Sequence, residues 1–105
     1  MRTLIAAVIA LAAVAGCNSA NNKPQPTQKQ AAVAQWNNAR AGVLLSLAND
    51  QFKTGNFDKA RQTIADAMKM SPDNAELWLL SGKLNIETGQ LESAERDLKQ
   101  SGELA

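Results

Sequence analysis

The chain opens with a positive start at Met1 and Arg2, followed by an unbroken apolar run from Leu4 to Ala15. A membrane-spanning helix needs ~20 apolar residues, well more than this run supplies. The run therefore predicts a cleaved secretory signal, residues 1–16, rather than a retained span. Residues 18–30 then carry no large apolar side chain and include Pro24 and Pro26. Such a stretch cannot bury enough surface to offset its ordering entropy, and it predicts a flexible tether over 17–30. About 13 extended residues reach at most ~45 Å, and as a flexible coil they average ~20 Å.

From Ala31 the apolar spacing becomes helical. Val33, Trp36, Arg40, Leu44, Leu47 and Gln51 fall along one stripe, with Val43 and Ala48 beside it. Gly55-Asn56 breaks this helix. Phe57, Ala60, Ile64, Ala67 and Met68 predict a second helix that runs to Ser71-Pro72-Asp73-Asn74. There Ser71 is a candidate cap, and Pro72 is tolerated in a first turn. Two further helices are expected, roughly over 74–88 and 91–103, parted by Gly89. The fold class expected for 31–105 is all-α.

Composition removes most chemistry. The 105 residues hold no His and one Cys, which excludes His-based relays, His-ligated zinc, CxxC redox pairs and internal disulfides. The Ser residues lack a base partner for nucleophilic work, and Glu92 with Glu95, or Asp58 with Lys59 and Arg61, read as a solvated helix face. No catalytic residue, metal site or cofactor is expected, and the chain reads as a non-enzyme. Eleven basic against ten acidic residues and 4% aromatics offer neither a phosphate-tracking stripe nor a stacking platform, so no nucleic-acid partner is expected.

The signal run ends in Val14-Ala15-Gly16-Cys17, which resembles the lipobox of bacterial lipoproteins at all four positions. The resemblance implies that the Cys17 thiol takes a diacylglycerol, that cleavage falls before it, and that the new amino terminus is acylated. Two or three chains make a durable anchor where one holds marginally. Asn18 stands where an Asp would imply inner-membrane retention, so the expected location is the outer membrane, facing the periplasm. Loss of Arg2 leaves ten basic and ten acidic residues.

Internal repetition points to architecture. At one constant offset along the chain, Ala41 matches Ala75, Leu45 matches Leu79, Thr54 matches Thr88, Gly55 matches Gly89 and Ala60 matches Ala94. Ala48/Gly82, Phe52/Ile86, Phe57/Leu91, Ile64/Leu98 and Ala67/Ser101 keep size or polarity at the same offset. Paired helices recurring with a period of ~34 residues resemble the tetratricopeptide family. The resemblance implies two helix-turn-helix repeats, about 41–74 and 75–105, with Leu44 and Trp78 as large apolar residues of the first helix of each pair. It also implies Ala48, Ala60, Gly82 and Ala94 at close crossings, and Pro72 closing the first repeat. Gln51 replaces the usual aromatic, Leu47 and Ser81 differ from one another, and Ser101 replaces Ala. Trp78 is expected in the core, and Trp36 is expected to cap the hydrophobic end of the stack.

In that family ligands lie along the concave face of the first helices. Carried over by position, the candidates are Leu45, Asn49, Phe52, Lys53, Leu79, Lys83, Ile86 and Glu87, an apolar strip with a polar edge that suits a helix or an extended peptide. The other reading is that a second copy, or another part of the same protein, covers these residues. Leu45 stands where a carboxylate-clamping member would need Lys. The expected function is a membrane-anchored periplasmic adaptor or assembly factor for protein partners. The alternatives are a permanent subunit of an envelope complex, or the amino-terminal part of a longer repeat protein that regulates an exported enzyme. Two repeats without a polar capping helix also raise a homodimer as a way to complete the stack.

Overall fold

The computed structural model describes residues 25–105. The signal segment, Cys17 and the tether through residue 24 lie outside the described residues. The described chain is all-α, with α1 (Gln28–Lys53), α2 (Phe57–Met70), α3 (Ala75–Glu87) and α4 (Leu91–Leu104) in order. No strand occurs among the described residues.

The first helix begins ahead of Ala31, which moves the expected tether boundary back. Thr27 and Gln30 form a reciprocal cap: the Thr27 side chain accepts from the Gln30 amide at 3.1 Å, and the Gln30 side chain accepts from the Thr27 amide at 2.9 Å. Two orphan donors of the first turn are thereby satisfied. The start of α3 also differs from expectation. Its cap is Asn74, whose side chain accepts from the amides of Glu76 and Leu77, and not Ser71. Ser71 instead ends α2, is buried, and donates to Asn38 Oδ1 at 2.8 Å.

Both hairpins turn in the same way. Gly55 and Gly89 have φ of 77° and 76°, a left-handed conformation that glycine adopts without a Cβ penalty. Gly55 donates to the Phe52 carbonyl and Asn56 to the Gln51 carbonyl, while Gly89 donates to Ile86 and Gln90 to Asn85. This pair of bonds is the Schellman pattern that satisfies the last carbonyls of a helix. Each bond in the first turn has its counterpart in the second, at the offset that relates Gly55 to Gly89.

The core lies between the first hairpin and α3. Ala41, Ala67 and Leu77 form one buried cluster, and Ala48, Ala60, Ile64, Leu80 and Leu84 form the other. Among the described helices, α3 packs on α1, α2 and α4, whereas α4 packs on α3 alone. Close approach selects the residues at the crossings. A Cβ added at Gly82 would sit 2.7 Å from Leu98 Cδ2, and Ala48 and Ala60 have no exposed surface. Larger side chains there would push the axes beyond the ~8–10 Å of close helix packing.

This selection overturns the stripe expected on α1. The buried residues of that helix are Ala41 and Ala48, so its inner face is rotated roughly a quarter turn from the Val33 to Leu47 stripe. Trp36 is 64% exposed and caps nothing among the described residues, and Val43 is 70% exposed. With 26 residues against 14 in α2, α1 is ~39 Å long against ~21 Å, and its amino-terminal part extends past its neighbour. Trp78 is likewise outside both core clusters. It is half-buried, and its Nε1 donates to the Pro72 carbonyl at 2.8 Å.

Urea denaturation separates these positions. Leu84→Ala is expected to cost about 2–5 kcal/mol, because it empties a site with 1% exposure. Trp36→Ala and Val43→Ala are expected to change stability by less than ~0.5 kcal/mol. A large loss from Trp36→Ala would restore the capping role.

Candidate functional site

A cleft of about 230 Å³ opens between α1 and α3, lined by Leu45, Asn49, Glu76, Leu79, Leu80 and Lys83. Leu45 and Asn49 lie one turn apart on α1, and Glu76, Leu79 or Leu80, and Lys83 follow the same spacing on α3. Two facing helical rows therefore build the floor. Leu79 and Lys83 are exposed, while Leu45 and Asn49 are half-buried. Apolar floor is thus flanked by an amide, a carboxylate and an ammonium.

The structure brings together four of the eight candidates: Leu45, Asn49, Leu79 and Lys83. Lys53, Ile86 and Glu87 are exposed but do not line this cleft. Phe52 does not line it either. It packs on the buried cluster around Leu80 and Leu84, with its ring 5.7 Å from that of Phe57 at a tilt of 47°. Leu45 joins the core in the same way, so it is floor rather than a free contact residue. The continuous strip expected from Leu45, Phe52, Leu79 and Ile86 is therefore split: α3 covers its first half, and its second half is open. Glu76 and Leu80 line the cleft without being among the candidates, although their spacing from Lys83 places both on its side of α3.

Behind the cleft, polar side chains tie α2, α3 and α4 together. Asn85 is 4% exposed; its Oδ1 accepts from Arg61 Nη1 at 2.8 Å, and its Nδ2 donates to Asp97 Oδ2 at 2.7 Å. Ser81 Oγ donates to the same Asp97 oxygen at 2.7 Å, and Arg61 Nη2 donates to Thr88 Oγ1 at 3.1 Å. Arg61 is thus half-buried and engaged, not part of a solvated charge pattern as its neighbours suggested. In the first hairpin the matching positions are Gln51 and Thr63, and Thr63 Oγ1 donates to Gln51 Oε1 at 2.7 Å. Gln51 and Ser81, both irregular in the sequence pattern, are accounted for by these bonds. Ser101 is too, since its Oγ donates to the Ala75 carbonyl at 2.8 Å. Among the described residues no buried side-chain polar atom lacks a partner. The network therefore ties α2, α3 and α4 together.

A second cleft, of about 410 Å³, lies where α1 passes the end of α2, against Val33, Ala34, Asn37 and Met70. Among the described residues no helix is long and apolar enough to cross a membrane. No protein-family model matches the chain, and no curated protein or solved structure matches it either.

The split of the strip makes a contrast. Phe52→Ala is expected to lower stability by about 2 kcal/mol, roughly half the cost at a fully buried Phe. Ile86→Ala, at 48% exposure, is expected to change it by less than ~0.5 kcal/mol. Thermal melts followed by circular dichroism read both. Equal stability of the two variants would return Phe52 to the open surface.

Proposed function

We propose that the chain is a lipid-anchored adaptor of the bacterial cell envelope, built of two tetratricopeptide-type repeats and capturing a protein segment in the cleft between α1 and α3. The observation that carries the repeat reading is the recurrence, in both hairpins and at matching positions, of the same turn hydrogen bonds and the same left-handed glycine. Support for the anchor comes from Val14-Ala15-Gly16-Cys17 at the end of a short apolar run. The tether then lifts the repeats off the headgroups of the outer membrane, on its periplasmic side. Support for capture comes from the cleft itself, whose apolar floor of Leu45, Leu79 and Leu80 would bury the apolar face of a peptide. Glu76 and Lys83, about two turns apart on α3, would orient that peptide by charge. On this reading the chain catalyses nothing and works by positioning its partner at the membrane.

Metabolic labelling with a fatty acid tests the anchor. The wild type is expected to take up label and to fractionate with membranes, and Cys17→Ser is expected to do neither. Equal labelling of the two would end the anchor reading. Crosslinking in intact cells tests capture: Leu79→Asp and Lys83→Glu are expected to reduce the crosslinked species roughly tenfold or more, while the helical signal of the purified variants stays unchanged. Undiminished crosslinking in both variants would remove the cleft from the proposal.

A further inference from the structure

The second hairpin exposes four large apolar side chains: Leu79 at 39%, Ile86 at 48%, Leu91 at 66% and Leu98 at 37%. The offset that relates the two hairpins carries them back to Leu45, Phe52, Phe57 and Ile64 in the first. Of those four, Ile64 is buried to 4% exposure, and Leu45, Phe52 and Phe57 are half-buried against the cluster that receives Leu80 and Leu84 of α3. The described residues thus present a related apolar seat twice, once filled by α3 and once with no described helix on it.

The filled seat states what the empty one takes. Its occupant presents Leu77, Leu80 and Leu84, spaced as i, i+3 and i+7, and then Asn85, which meets Arg61 of α2. In the empty seat the position of Arg61 is held by Glu95, which is exposed. Where the first seat offers a cation to the carboxyl-terminal turn of its helix, the second offers an anion, which the negative end of a helix dipole disfavours unless a cation lies between them. Gly102 stands in place of Met68 and Ser101 in place of Ala67, so the far end of the seat offers less apolar surface. Leu91, Ile86 and Leu98 therefore form its main apolar surface.

From this continuity with the interface already present, the geometry points to a helical partner segment docking on α3 and α4 in the orientation of α3. It carries apolar residues at i, i+3 and i+7, followed at i+8 by Lys or Arg that pairs with Glu95. The proposal adds a second contact to the adaptor reading above and names the chemistry of the partner. A second copy of this chain does not supply that helix through α1. At the positions of Leu77, Leu80, Leu84 and Asn85, α1 has Val43, Ser46, Asp50 and Gln51, which would set a carboxylate against the apolar floor and no cation against Glu95.

The test uses the purified full chain and two fluorescent peptides copied from its own residues 73–88, one carrying Asn85→Lys and one Asn85→Glu, with binding read by anisotropy. The Lys peptide is expected to bind saturably and roughly tenfold or more tighter than the Glu peptide. Glu95→Lys in the protein should invert the preference, and Ile86→Asp should abolish binding of the Lys peptide with the helical signal intact. Absence of saturable binding, or a preference that Glu95→Lys leaves unchanged, overturns the proposal. Tighter binding of the Glu peptide to the wild type also overturns it, because that is the preference of the Arg61 seat after displacement of α3. A concentration-dependent dimer in sedimentation that Ile86→Asp dissociates would give the seat to a second copy instead. These outcomes are separate from the cleft: loss of crosslinking in Lys83→Glu with no peptide binding would leave the adaptor reading standing and this one lost.

Discussion

Leu77 and Leu84 are the largest side chains taken wholly out of water among the described residues, and both lie on the face of α3 turned toward the first hairpin. With Leu80 they remove enough apolar surface to contribute about 1.5–3 kcal/mol each relative to exposure. The rest of the molecule depends on that contact. α1 and α2 meet α3 across it, and among the described helices α4 packs on α3 alone. A change that lifts α3 from the first hairpin therefore also releases the second.

Apolar burial alone would tolerate sliding or rotation of the helices, and two further constraints restrict it. Small residues at Ala48, Ala60, Gly82 and Ala94 let the paired axes approach, and the gap at Gly82 is filled by Leu98. Side-chain hydrogen bonds then set the register: Gln51 with Thr63 in one hairpin, Asn85 with Asp97 in the other, and Arg61 across the two. Because Asn85 is buried, a shifted register would leave its amide unpaired at a cost of about 1–3 kcal/mol. By contrast the exposed pair Asp66 and Lys69, 3.9 Å apart, adds little.

The same geometry sorts the surface. The cleft exists because α1 and α3 lie side by side, with Leu45 and Leu80 as floor and Lys83 and Glu76 at the edge. The open seat exists because α4 keeps apolar residues at the positions of Phe57, Ala60 and Ile64 of α2, without a helix beyond it among the described residues. A partner that engaged both would bury apolar surface on two sides of α3.

Helix number, the two glycine turns and the small residues at the crossings were legible in the sequence, because each depends on local conformational freedom or on a spacing that recurs from one hairpin to the next. Which face of α1 turns inward was not legible. Its large residues Val33, Trp36, Val43 and Leu47 make the more apolar stripe, yet close approach of α2 selects Ala41 and Ala48. The Thr27 to Gln30 cap was present in the letters, but a polar stretch with prolines masked it. Tertiary structure also decided that Phe52 is half-buried against the core and Ile86 open, although the two hold matching positions. The difference arises from what lies beside each residue in space: α3 stands against the first hairpin, and no described helix stands against the second.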